Sequence, residues 1–261
     1  MTHSDPNMTI DVNVTNPGQF FACCGLLELS DRLWPGAEGW FANNQFCIHA
    51  EGTLPEVWGA IVKAELDALD SDDEMASPMW LGDPFDLLLD WWKDENAGGR
   101  KLKVWAGSMR GVRIAQAMKT AITHAAKQEK PLDYAAVVYD PGNPKKKVEP
   151  FYFDGRRGCN AQPIDIGFSP DSLKMTSAAY PAVEFLCLVG LQRFRPYPTN
   201  HRRVFSYWSW GTPLSPCLAA AMASGITTLT SGIKYRFENG FRTDQKKHKA
   251  FLPATPQETL L

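Results

Sequence analysis

Residues 9–34, TIDVNVTNPGQFFACCGLLELSDRLW, leave the chain few conformational choices. The first eight alternate and are rich in β-branched side chains, the pattern of a strand. Asn16-Pro17 then opens a helix, because an asparagine side chain can accept from the exposed N–H groups of a first turn. Proline, lacking an N–H, loses nothing at the first helical position. The spacing of Phe20, Cys24, Leu27 and Trp34 predicts one apolar stripe along that helix.

The pattern continues after a WPGAEG turn. WFANNQFCIHAEG (40–52) reads as two short strands joined at Asn43-Asn44, and TLPEVWGAIVKAELDAL (53–69) as a second amphipathic helix capped by Thr53. The order strand–helix–strand–strand–helix predicts an α+β fold with a ferredoxin-like or RRM-like N-terminal core. Beyond it lies a mixed strand–helix C-terminal part. There RKLKVWAGSMRGVRIAQAMKTAITHAAK (100–127) reads as strand, turn and helix, and LDYAAVVYD (132–140) and VEPFYFD (148–154) as a hairpin with PGNPKKK at its tip. SAAYPAVEFLCLVGLQRF (177–194) reads as a buried helix, VFSYWSW (204–210) as a strand, and LSPCLAAAMASG as a short helix stopped at Gly225. A strand running into a basic tail follows.

Charge divides the chain more sharply than its net of −2 implies. Residues 1–99 hold 18 Asp and Glu against 3 Lys and Arg, a balance of −15, whereas residues 100–261 hold 24 Lys and Arg against 11 Asp and Glu, a balance of +13. Such polarity is expected where one part faces a polyanion and another docks on protein. We therefore expect an acidic protein-docking part (1–99) and a basic nucleic-acid-facing part (100–261), packed as one unit.

Other function classes find little support. The longest apolar stretches, such as AVEFLCLVGL (182–191), are about half what a bilayer requires, and MTHSDPNMTI lacks a signal-peptide layout, so a cytoplasmic protein without membrane contact is expected. The six cysteines include no CxxC pair, and the five histidines form no HxH or HExxH motif, so neither a metal nor another cofactor is implied. Cys23-Cys24 with His49 as base would be the nucleophilic arrangement, but those thiols sit past the first helical turn among Phe20, Phe21, Leu26 and Leu27. GSMRGVR (107–113) lacks the Lys-Ser end of a nucleotide loop, yet the start of a helix there can take one phosphate.

The basic loops carry the strongest signal. Arg110 and Arg113 flank that helix start; Asn143, Lys145, Lys146 and Lys147 occupy the hairpin tip; Arg156 and Arg157 lie in a loop. Arg193 and Arg195 close a helix, Arg202 and Arg203 open a strand, and Lys246, Lys247 and Lys249 lie near the end. Each cation that meets a phosphate releases counterions and adds affinity without sequence choice, and arginine or asparagine at a tip can read a base edge. The stretch QRFRPYPTNHRRVFSYWSW (192–210) reads as core aromatics with a basic entrance.

Two stretches, NPGQFFACCGLLELSDRLWPGAEGWF (16–41) and AVEFLCLVGLQRFRP (182–196), resemble small CRISPR-associated proteins of type I-U (now I-G) systems, treated as a reduced large subunit of the Cascade surveillance complex. The resemblance implies a non-catalytic subunit near the handle of the guide RNA. Its partners would be that RNA, target double-stranded DNA, the backbone and handle-binding Cascade subunits, and a recruited helicase–nuclease that does the cutting. Its role would be recognition of the protospacer-adjacent motif and opening of the duplex. Large subunits of this kind are usually longer and end in a helical bundle, whereas this sequence reads as a basic strand followed by the polar stretch LPATPQETLL. Two other readings are a metal-independent RNA endonuclease, with His201 as general acid–base beside Arg202 or Arg203, and a stand-alone protein-interaction module.

Overall fold

The computed structural model describes residues 5–70, 72, 75–95, 99–105, 109–156, 178–227, 229–241 and 248–257. Strand β1 (Met8–Asp11) leads to helix α1 (Pro17–Leu33), whose Asn16 cap accepts from the N–H groups of Gly18 and Gln19. Every residue from Pro17 to Ser30 is buried, so α1 is wrapped on all sides rather than presenting a single stripe. Its one buried carboxylate, Glu28, is held by Arg32 and Arg193.

Strands β2 (Glu38–Ala42) and β3 (Gln45–His49) form the expected hairpin. Asn43 and Asn44 both take positive φ (50° and 60°), as a two-residue turn matched to strand twist requires. The sheet order is β1-β3-β2, antiparallel throughout. Helix α2 (Leu54–Lys63) begins at a capping box between Thr53 and Glu56 but stops six residues short of the expected end. Leu66–Ala68 instead forms β4, which pairs with β5 (Met79–Leu81), itself paired with β6 (Leu87–Leu89). A four-stranded ferredoxin-like sheet would place β4 beside β1; here it belongs to a different sheet.

Helices α3 (Gly99–Leu102) and α4 (Gly111–Ala125) follow, then a small hairpin of β7 (Tyr139–Asp140) and β8 (Asn143–Lys147). The expected hairpin is corrected here: the three lysines are not at the tip but make up the outgoing strand, and residues 148–154 hold no strand. Helix α5 (Pro181–Arg193) is buried from Pro181 to Leu191. Strands β9 (Tyr197–Pro198), β10 (Val204–Trp208), β11 (Lys234–Phe241) and β12 (Lys249–Phe251) form a sheet in the order β12-β11-β10-β9, with β13 (Thr255–Gln257) also on β11. Helix α6 (Pro216–Ala223) lies between β10 and β11 in sequence, and Gly225 follows it with φ 72°.

The described residues thus form a mixed α+β fold with six α-helices and several small antiparallel sheets. At its centre α1 packs against α5, and the sheet of β10 and β11 covers α1 through aromatic contacts. Phe20 lies 4.3 Å from Tyr207, and Tyr207 stacks on Tyr235 at 5.3 Å. A second aromatic group gathers Trp91, Trp92, Trp105, Phe151, Phe153 and Phe251. One continuous apolar core runs through both the acidic and the basic parts of the sequence. No described helix is long and apolar enough to cross a membrane.

Candidate nucleic-acid interface

The first basic cluster forms where α4 meets the β7–β8 hairpin. Arg110 occupies the N-cap position and makes no side-chain cap bond, and Arg113 lies one turn further along. Lys119 and Gln116 fix this helix by donating to the carbonyls of Val62 and Leu66, at 2.9 and 2.8 Å. Lys145, Lys146 and Lys147 are all exposed on β8. The half-buried carboxylate of Asp140 stands 3.7 Å from Lys146 Nζ and 4.0 Å from Arg113 Nη1, holding the two elements together. Arg110, Arg113, Lys146 and Lys147, with the carboxylates of Asp140 and Glu149, line one groove. It adjoins a second groove of about 650 Å³ that shares Arg113 and Asp140 and adds Gln116 and Asp67. Asn143 is exposed, but its Oδ1 accepts from the Lys145 N–H at 3.2 Å, so reading adenine with both amide atoms would cost that turn bond.

A second cluster assembles around Lys249. Its ammonium donates to the carbonyls of Arg100 and Lys101 at the end of α3, at 3.1 and 3.2 Å. Burial, then the positive charges of Arg203, Lys103 and Arg202, push its pKa down to about 8. The Arg203 guanidinium lies 4.3 Å from the centre of the Phe241 ring, and Phe241 pairs with Lys249 across β11 and β12. Trp105 connects the two clusters. Lys103 Nζ lies 4.8 Å from its ring centre, and the indole Nε1 would meet a Cβ on Gly111, at the start of α4, at 3.1 Å.

Two other expected contact residues have partners within the chain. Arg156 is spent internally: it binds Asp154 through Nε (3.0 Å) and Nη2 (2.7 Å), Asp133 at 2.6 Å and the Leu132 carbonyl at 2.8 Å, and lies 3.6 Å from the Tyr180 ring centre. Asp154 is fully buried, so this arginine neutralises a carboxylate that water cannot reach. Arg195 is likewise drawn inward: it donates to the carbonyls of Gln192 and Trp91, both at 3.2 Å, and lies 3.8 Å from Asp94. Burial lowers its pKa despite Asp94 and Asp90. Arg157, Lys246 and Lys247 lie outside the described residues. Lys249 belongs to the expected basic run KKHK at 246–249, whereas Lys103 was not expected here; its sequence signal is the RKLK run at 100–103.

The aromatic stretch at 192–210 is mostly core, but it does not alternate: Phe205, Ser206 and Tyr207 are buried in succession, as are Ser209 and Trp210. Phe194 is buried too, while Tyr197 is 56% exposed and Arg202 is exposed. The nucleophile arrangement does not form, because Cys23 and Cys24 are buried and desolvation raises both thiols well above their ordinary range. Among the described residues, no group of three His, Cys, Asp or Glu could hold a metal ion.

Comparison with protein-family models, curated proteins and solved structures yields no match.

Proposed function

We propose that this chain is a non-catalytic, strand-binding subunit of a guide-RNA-directed type I Cascade complex, acting in the cytoplasm in recognition of the adjacent motif and opening of target DNA. One observation carries the reading: cations distant in sequence, Arg110 and Arg113 at the start of α4 and Lys146 and Lys147 on β8, line one pair of adjoining grooves, with Lys145 exposed on the same strand. Exposed cations gathered along a groove track a phosphate backbone, whereas cations scattered over a surface merely keep a protein soluble. The order β1-β3-β2 with α1 and α2 is read as a ferredoxin-like arrangement reduced to three strands. The acidic part then faces neighbouring subunits that are themselves basic because they coat RNA.

The test is charge reversal confined to the grooves. Replacing Lys145, Lys146 and Lys147 by Glu should abolish binding of target DNA by the assembled complex while assembly itself, followed by size-exclusion chromatography, stays intact. Arg156 is left unchanged because its loss would damage the fold. Undiminished DNA affinity in the triple variant would overturn the assignment.

A further inference from the structure

The cluster around Lys249 holds more strain than a solvated surface needs. Arg203 has φ 63°, in the left-handed region that a residue with a side chain seldom occupies. The turn that imposes it is held by Val204 N–H donating to His201 O and by Asn239 N–H donating to Arg203 O, at 3.2 and 2.9 Å. Arg203 Nε is buried and meets no acceptor among the described residues, and Glu238 is 3.5 Å from Nη2. Folding has thus brought four cations from three separate segments together: Lys103 after α3, Arg202 and Arg203 before β10, and Lys249 on β12. Like charges assembled at such a cost, beside a strained arginine, mark a place built for an anion.

We propose that Lys103, Arg202, Arg203 and Lys249 form a phosphate-binding site. The ligand is a phosphate carried either within a nucleic-acid strand or at its 5′ end. The inference deepens the proposed function and rests on it for the source of that phosphate. An anion here offsets the mutual repulsion of the cations, and it restores to Lys249 the charge that burial and its neighbours oppose. The groups facing Lys249 are Arg202 and Arg203 from the turn before β10, Lys103 after α3, the carbonyls of Arg100 and Lys101, and Glu238 of β11 through Arg203; His248 precedes it on the chain. Because Lys249 titrates at about 8 when no anion is present, binding at pH 8 should take up a proton. Affinity should then fall as the pH rises from 7 to 9.

The experiment is calorimetric titration of the full chain with a 20-nucleotide single strand, with and without a 5′ phosphate, and with inorganic phosphate. Each titration is run at pH 7, 8 and 9 in two buffers of different ionisation enthalpy. The wild type should show proton uptake at pH 8 and weaker binding at pH 9. Lys249→Arg should keep the affinity and lose its pH dependence. Arg202→Gln, an exposed change that leaves the fold intact, should lower the salt slope by about 1. A preference for the 5′-phosphorylated strand assigns the site to a terminal phosphate; equal binding assigns it to the backbone. If Lys249→Arg keeps the wild-type pH dependence and Arg202→Gln the wild-type salt slope while Lys146→Glu/Lys147→Glu loses the strand, this inference falls and the proposed function stands. If no strand binds at all, the proposed function falls. The site then survives only if inorganic phosphate binds with the proton uptake and Lys249→Arg removes that uptake.

Discussion

Gly25 of α1 and Gly190 of α5 meet backbone to backbone at the centre of the molecule. A Cβ on Gly190 would stand 2.0 Å from the Phe21 carbonyl oxygen, and one on Gly25 would stand 2.1 Å from the Leu186 carbonyl oxygen. Both obstacles are backbone, so no rotamer change can relieve them. Overpacking ordinarily costs about 1–3 kcal/mol where neighbours can shift. Gly190→Ala should therefore lower unfolding free energy by about 3 kcal/mol or more, measured by urea denaturation. Gly59→Ala, where a Cβ would meet nothing, is the control and should stabilise slightly.

A contact between residues so far apart in the chain leaves no local trace, whereas signals acting within one turn are legible in the sequence. The start of α1 is legible because Asn16-Pro17 acts within one turn, and the β2–β3 hairpin because Asn43-Asn44 supplies its own positive φ. The end of α2 is not. Leu66 and Ala68 fit a helical stripe and an alternating strand equally well, and only the distant partner strand at Met79–Leu81 decides between them. The same pairing puts β4 in a different sheet from β1, so the described residues do not form the expected four-stranded ferredoxin-like sheet.

The candidate site divides in the same way. The charge imbalance is a property of composition and could be counted, as could the Lys145–Lys147 run. Which arginines remain available is a property of pairing across long separations: Arg193 meets Glu28 and Arg195 meets Asp94, each across the acidic–basic divide. Local sequence around an arginine carries no trace of a carboxylate a hundred residues away. Lys249 joins Arg203 only because β12 lies against β11.

Arg156 provides a second prediction, because its role is structural. Asp154 accepts from Asn16 Nδ2 as well as from this arginine, and Asn16 Oδ1 also accepts from the Gly155 N–H at 2.8 Å. The network therefore ties the cap of α1 to the chain 138 residues later. Arg156→Ala leaves a buried carboxylate without its cationic partner and should destabilise by about 3 kcal/mol. Reversible chemical denaturation measures it, and strand affinity of the folded fraction should be unchanged. A stable variant with lost strand binding would return Arg156 to the interface.

The titration of Lys249 has a consequence for stability that is separate from any ligand. Its folded pKa of about 8 lies below the unfolded value near 10.5, so between those two pH values the unfolded chain binds more protons and stability from this group rises with pH. The full gain is at most about 3 kcal/mol at 1.36 kcal/mol per unit. The buried thiols of Cys23, Cys24 and Cys187 act the other way. Their raised folded values lose stability as the pH climbs past the unfolded thiol range. The difference between wild type and Lys249→Met isolates the lysine. Unfolding free energies of the pair should converge as the pH rises from 8 to 10.5, with the variant more stable at pH 7. Parallel curves would show that Lys249 is solvated in the folded protein.

The acidic part makes the last prediction. Residues 64–92 carry nine Asp and Glu and no Lys or Arg, and they contain the whole β4-β5-β6 sheet. Leu66, Met79, Leu81, Leu87 and Leu89 point into the core, which leaves Asp67, Trp80 and Leu88 in register on the outer face. Trp80 is 39% exposed there, with Leu69 (58%) and Met75 (45%) elsewhere in the same segment. An indole among carboxylates suits a basic partner surface that also offers something apolar, since the ring supplies contact area and the acids supply steering. Trp80→Lys reverses the charge trend and removes the anchor without touching the core, so thermal stability should stay within about 0.5 kcal/mol of wild type. Co-expressed with the basic RNA-coating subunits of the proposed complex, the variant should assemble at least ~10-fold less tightly, as expected when a tryptophan anchor is lost. Its own affinity for a single strand should not change. Assembly at wild-type affinity would move the docking surface off this sheet.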